Sequence, residues 1–217
     1  MKKVLTLAIT AFIVSAYSAV QAQEFIFDAK VGGAYATDQK AGGFNSALEA
    51  GVGINPYFEL LAMPGFTWFN WDKGLGITKT DQLSGMQSEL KASVNGYMFP
   101  LLAGAKIKIA DAKESIGIVP YLTVGAGYTF MKYAYEVPAY YDGIDNNPKE
   151  TGSSTYKGFT WIALVGINYQ FPDTNMSLVV EAGYRGAKLK DKDDFEADMS
   201  GIVANVGVSF AIGGDSY

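Results

Sequence analysis

Hydrophobic and polar residues alternate with a period of two along most of the chain, as strands with one apolar and one polar face require. Phe25, Phe27, Ala29, Val31, Gly33 and Tyr35 share a face of the first such stretch, opposite Asp28, Lys30 and Gly32. In the second, Leu48, Ala50, Val52 and Ile54 oppose Asn45, Ala47, Glu49, Gly51 and Gly53. The third, Tyr57 to Phe69, contains Pro64-Gly65, a pair that predicts a bulge. The fourth sets Leu90, Ala92, Val94, Gly96 and Met98 against Glu89, Lys91, Ser93, Asn95 and Tyr97. Between residues 100 and 118, Lys106 and Lys108 alternate with Ile107 and Ile109, a pattern compatible with an extension of the fourth strand or a small extra hairpin. The fifth places Leu122, Val124, Ala126, Tyr128 and Phe130 opposite Thr123, Gly125, Gly127 and Thr129. The sixth places Trp161, Ala163, Val165, Ile167, Tyr169 and Phe171 opposite Thr160, Ile162, Leu164, Gly166, Asn168 and Gln170. Leu178, Val180, Ala182 and Tyr184 oppose Val179, Glu181, Gly183 and Arg185 in the seventh. In the eighth, Ile202, Ala204, Val206, Val208, Phe210 and Ile212 oppose Val203, Asn205, Gly207, Ser209 and Ala211.

Eight strands of about ten residues are long enough to cross a bilayer at a tilt. Their connections alternate in length, except for the segment between the fourth and fifth strands. Asn55-Pro56 and Pro172 to Asn175 are tight turns, whereas residues 70–87, 136–158 and the acidic stretch after the seventh strand read as long polar loops. Short periplasmic turns and longer external loops have that asymmetry. The alternative is a soluble lipocalin-type barrel with its apolar face inward. Glycines on the polar face (Gly32, Gly51, Gly53, Gly125, Gly127, Gly166, Gly183, Gly207) fit the crowded inside of a narrow barrel instead. Aromatics on the apolar face collect near strand ends, as interfacial girdles do. The predicted fold is therefore all-β, an eight-stranded antiparallel up-and-down transmembrane barrel.

The N-terminus predicts how the chain reaches a membrane. Lys2 and Lys3 precede an apolar run from Val4 to Val14 and the small-residue site Val20-Gln21-Ala22, the pattern of a signal peptide cleaved after Ala22. Residues 1–22 are thus assigned to the signal and 23–217 to the barrel. The mature chain has 195 residues, with 15 basic against 22 acidic, which disfavours nucleic acid as a partner. The chain has no Cys, which removes a lipoprotein anchor, disulfides and thiol chemistry. It has no His either, so a Ser-His-Asp system cannot be assembled. No cofactor, metal or catalytic residue is expected. The crowd of Asp191, Asp193, Asp194, Glu196 and Asp198 lacks the glycine and terminal glutamate of an EF-hand and reads as a solvated loop.

Two stretches carry a family resemblance. Pro120 to Tyr128, with Pro-Tyr followed by Gly-Ala-Gly-Tyr, and Glu181 to Arg185, with Gly-Tyr-Arg, resemble strands of the small outer-membrane barrels: the opacity proteins, OmpX and the OmpA barrel. Asn205, Gly207, Phe210 and Ile212 resemble the C-terminal signal by which such barrels are recognised for assembly, although Gly-Gly-Asp-Ser-Tyr follows where members usually stop at an aromatic. The resemblance implies a monomer in the bacterial outer membrane. The implied partners are membrane lipid and lipopolysaccharide, the assembly machinery and host surface molecules. Asp28, Lys30, Glu49, Glu89, Lys91, Glu181 and Arg185 are expected to point into the lumen, where charges must be paired or hydrated. A first hairpin centred near residue 40 would set Lys30 opposite Glu49, and Arg185, the only arginine, suits several carboxylates at once. Such a set reads as a plug or as a polar gate. Tyr133, Tyr135, Tyr140, Tyr141 and Tyr156 would be contact residues in or beside the longest loop, or part of the outer girdle. The expected function is a non-enzymatic surface barrel with a plugged lumen. The alternatives are a narrow OmpW-like channel or transporter for small or hydrophobic solutes, and a periplasmic ligand-binding barrel.

Overall fold

The computed structural model describes residues 24–110, 112 and 117–213, so the expected signal peptide and its cleavage site lie outside the described residues. Eight long strands are joined by pairing neighbours in sequence: β1 (Glu24–Ala36), β2 (Ala41–Asn55), β3 (Phe58–Thr80), β4 (Gln87–Lys108), β5 (Ile118–Val137), β8 (Glu150–Gln170), β9 (Met176–Lys190) and β11 (Gly201–Ile212). Between β5 and β8 lies a two-stranded ribbon, β6 (Tyr140–Tyr141) and β7 (Asn146–Asn147); β10 (Glu196–Asp198) adds to the free side of β9. Every pairing is antiparallel, and β8–β9 and β11–β1 close the ring. Closure satisfies backbone groups that hydrocarbon could not.

Ladder offsets set the barrel's dimensions. From Phe44, pairing through Trp68, Tyr97 and Lys132 arrives at Thr155 on β8. In the other direction, through Gly33, Ala204 and Ala182, it arrives at Val165, an offset of 10 residues. Eight strands with that stagger tilt by about 40° and enclose a backbone radius of about 8 Å, room for side chains but not for an aqueous pore.

Within the ring the alternation runs as expected in β1, β2, β5, β8, β9 and β11: large apolar residues face out and mostly small or polar ones face in, joined inside by larger ones such as Ile26, Met131, Leu164 and Val179. Phe25, Phe58, Ile107, Tyr169 and Ile212 surround the end with the tight turns; Tyr35, Phe44, Trp68, Phe99, Phe130 and Phe159 surround the other. Three expectations are corrected. Pro64-Gly65 forms no bulge, because the registers of β3 with β2 and β4 pass it unbroken. The shift in β3 falls instead between Gly74 and Thr78. Most of residues 70–87 and 136–158 is strand rather than loop, so β3, β4, β5 and β8 project well past the β1–β2 hairpin.

The fourth strand turns the opposite face inward from the one its pattern predicts. Leu90, Ala92, Val94, Gly96 and Met98 face inward, and Glu89 and Lys91 face outward and are exposed. This part of β4 belongs to the projecting extension, where Val94 pairs with Trp71 and Lys91 with Gly74. Outside the bilayer the outer surface meets water, so the apolar face turns inward as in a soluble sheet. Residues 100–108 extend β4 and form no separate hairpin.

Candidate functional site

The lumen is filled in two zones. Near the tight-turn end, β1 contributes Asp28 and Lys30, β2 Glu49, β3 Glu59, β4 Lys106, β5 Tyr121 and β9 Glu181, all buried. The inward phase of each strand brings them together. Lys30 Nζ lies 2.6 Å from Glu49 Oε1 and 2.8 Å from Glu181 Oε2. Lys106 Nζ lies 2.6 Å from Asp28 Oδ2, and 3.5 and 3.6 Å from Glu49 and Glu59. Tyr121 donates to Glu181 Oε2 at 2.9 Å, and Lys108 pairs with Glu59 at the lower edge. Tyr121 fits because its ring lies over Gly166, where a Cβ would stand 2.4 Å from the ring.

The network continues through neutral groups. Asn205 Nδ2 donates to Glu181 Oε1 at 3.0 Å, Asn45 Nδ2 donates to Asn205 Oδ1 at 2.8 Å, and Thr67 Oγ1 donates to Asn45 Oδ1 at 2.7 Å. The Arg185 guanidinium then donates to Thr67 Oγ1 at 2.8 Å, and its central carbon sits 5.7 Å from the Phe69 ring centroid. Counting Lys108, four carboxylates face three lysines and Arg185, so the column is balanced in charge.

Above Arg185 the filling becomes apolar. Phe69, Trp71, Val94, Met98, Met131, Leu164, Leu189, Met199 and Val203 form one buried cluster. Tyr133, Tyr135 and Tyr156 pack against it, with Tyr133 5.8 Å from Trp71 between ring centroids. The cavity beside Arg185, lined by Asn45, Glu49, Glu181 and Asn205 among others, measures about 30 Å³, above the roughly 10–15 Å³ needed to admit a water molecule. A larger depression of about 650 Å³ crosses the outer wall over Val165, Ile167, Val180, Ala182, Ala204 and Val206, on the side facing lipid.

Of the residues expected in the lumen, Asp28, Lys30, Glu49, Glu181 and Arg185 face it and Glu89 and Lys91 do not. Lys30 stands opposite Ala47 rather than Glu49, because the hairpin is centred between residues 38 and 39; its long side chain still reaches Glu49 on the diagonal. Arg185 meets a hydroxyl and a ring, and among the described residues it makes no ion pair. Glu59, Lys106, Tyr121 and Thr67 complete the network without having been expected, joined by Asn45, which was expected only to share the polar face of β2 with Glu49; the alternation of Lys106 and Lys108 with Ile107 and Ile109 was the available signal. Asn205 and Gly207 face inward, while Phe210 and Ile212 face outward opposite Phe27 and Phe25.

A closed antiparallel ring with an apolar exterior and a packed interior that holds a polar, charged column defines an integral membrane β-barrel. The chain belongs to the outer membrane protein β-barrel domain family, whose model matches residues 4–210. It is therefore a bacterial outer-membrane barrel. Among solved structures it is similar to Neisserial surface protein A, with 14% identity over 86% of this chain and 95% of that one and a TM-score of 0.49. It is also similar to a major outer membrane protein of Thermus thermophilus, with 15% identity, 87% and 99% coverage and a TM-score of 0.44. The attachment invasion locus protein Ail of Yersinia pestis gives 14% identity, 87% and 97% coverage and a TM-score of 0.42. Comparison with curated proteins returns no match.

Proposed function

We propose that this chain is a non-enzymatic, non-conducting barrel of the outer membrane, with a plugged lumen and an external extension that serves as a contact surface for envelope or host molecules. The observation that carries this reading is the two-part filling of the lumen: a charge-balanced column below Arg185 and an apolar cluster above it. Solute passage would have to disrupt both. The absence of His from the chain also argues against the histidine-dependent chemistry of outer-membrane barrel enzymes. Asn205, Gly207, Phe210 and Ile212 act as the assembly signal in this reading, with Asn205 also serving the lumen network. The barrel works as a monomer among lipid and lipopolysaccharide.

Planar-bilayer recording of the purified protein tests this. Plugging predicts no large, stable, ohmic steps at moderate voltage. Such steps from the wild-type protein would put the narrow-channel reading first.

A further inference from the structure

The outer wall carries a lysine cluster that its strand pairing neutralises only on the β10 side. On β8, Lys157 faces outward directly opposite Lys190 of β9. On its other side Lys157 pairs with Phe130 of β5, and Lys132 lies two residues beyond Phe130 on the same face. Lys188 precedes Lys190 on β9 by two residues, also facing outward. Like charges directly opposite across a ladder repel. Asp198 lies 3.7 Å from Lys188 and Asp194 lies 3.8 Å from Lys190, and Glu196 is in register with Lys190. Those carboxylates all approach from the β10 side. Among the described residues, Lys132 and Lys157 have no ion-pair partner.

Position selects the kind of anion. Phe130, Phe159, Trp161 and Tyr184 lie just below the four lysines, all exposed on the outer wall, with Trp161 and Tyr184 5.8 Å apart between ring centroids. Exposed aromatics at that height mark the boundary between hydrocarbon and headgroups, so the lysines stand at the level of lipid headgroups. On β3 and β4, the outward positions next past the girdle are Asn70, Asp72, Ser93 and Asn95, with Lys91 and Glu89 further out, so at this height the basic residues gather in the β5–β8–β9 sector. Lysine ammonium groups bind phosphate as point charges, and a phosphate between two facing lysines converts repulsion into attraction.

We propose that Lys132, Lys157, Lys188 and Lys190 form a site on the barrel wall for the phosphate groups of a phosphorylated outer-leaflet lipid. The girdle below seats the lipid's apolar part. The inference rests on the membrane-barrel reading of the fold and names a lipid partner for it.

The test compares wild-type protein with Lys157→Gln and Lys132→Gln in phosphatidylcholine vesicles. Each is measured alone, with bisphosphorylated lipid A added to the bilayer, or with inorganic phosphate in solution. Protease protection of the strands first establishes insertion, so a failure of the membrane reading appears before any lipid effect is measured. The readout is the temperature at which the folded gel-mobility form is lost. Lipid A should raise it for the wild type, and inorganic phosphate at the same concentration should not. In plain phosphatidylcholine, Lys157→Gln should be at least as stable as the wild type, because a repulsive pair has been removed. The rise with lipid A should shrink in both variants. Equal lipid A shifts in all three proteins would overturn the proposal, as would a full shift from inorganic phosphate alone.

Discussion

Replacing Lys30 by Met perturbs the lumen where its charges are most closely coupled. Lys30 is fully buried and contacts Glu49 at 2.6 Å and Glu181 at 2.8 Å. Without it, four carboxylates face Lys106, Lys108 and Arg185, and Arg185 contacts none of them. Glu181 keeps only Tyr121 and Asn205, both neutral donors. Removing one partner of a buried pair costs about 3–5 kcal/mol, chiefly the cost of leaving a charge uncompensated. Lys30→Met should therefore lower stability by that amount. Glu181→Gln removes the excess charge while keeping an acceptor for Tyr121, so Lys30→Met/Glu181→Gln should recover most of the loss. The coupling expected between the two sites is about 2–3 kcal/mol. Urea titration of the folded barrel in detergent, followed by tryptophan fluorescence, measures all four corners of the cycle. A Lys30→Met protein as stable as the wild type, or a coupling below about 0.5 kcal/mol, would refute the view that buried charges hold the lumen together.

Val206 faces outward near the middle of β11, so Val206→Arg should cost about 2–4 kcal/mol in lipid, whereas a polar substitution at the lumen-facing Ser209 should cost far less. Equal folding yields in liposomes would mean that the faces are reversed. In the external β3–β4 turn, Asp81 accepts from the backbone N–H groups of Ser84 and Leu83, at 2.7 and 3.1 Å, and from the Ser84 hydroxyl. The Ser84 N–H, then its hydroxyl and the Leu83 N–H, hold its carboxyl below the usual range. The turn's protection should therefore be full above the ordinary carboxylate pKa and lost as pH falls through the lowered one. Amide exchange at Leu83 and Ser84, corrected for intrinsic rate, should rise only in strong acid; a rise already at about pH 5–6, above the ordinary carboxylate range, would contradict this.

The period-two pattern made most of the barrel legible, because within the bilayer an apolar side chain has one favourable direction. It misled at Glu89 and Lys91, where the same alternation continues beyond the membrane and water inverts its meaning. Register was the other gap. Lys30 with Glu49 was legible as a pair, but reaching it by the diagonal depended on a turn centre that composition does not specify. Glu59, Lys106 and Tyr121 converge because of the barrel's stagger, which is a property of the closed ring and not of any one strand. Arg185 was recognisable as a lumen residue; that it would cap the charged column against Phe69 required knowing where the charges end and the apolar cluster begins.

The filled lumen is tested most directly by water access to its upper zone. The chain has no native Cys, so single cysteines report without background. Met98→Cys and Leu164→Cys place thiols in the apolar cluster, and Ser84→Cys places one in the exposed external turn. With a small, charged, water-soluble thiol reagent, a filled lumen predicts rapid labelling at Ser84→Cys. It predicts labelling at Met98→Cys and Leu164→Cys only after unfolding. Labelling of both lumen sites in the folded barrel at rates close to that of Ser84→Cys would contradict it and show an open, hydrated passage.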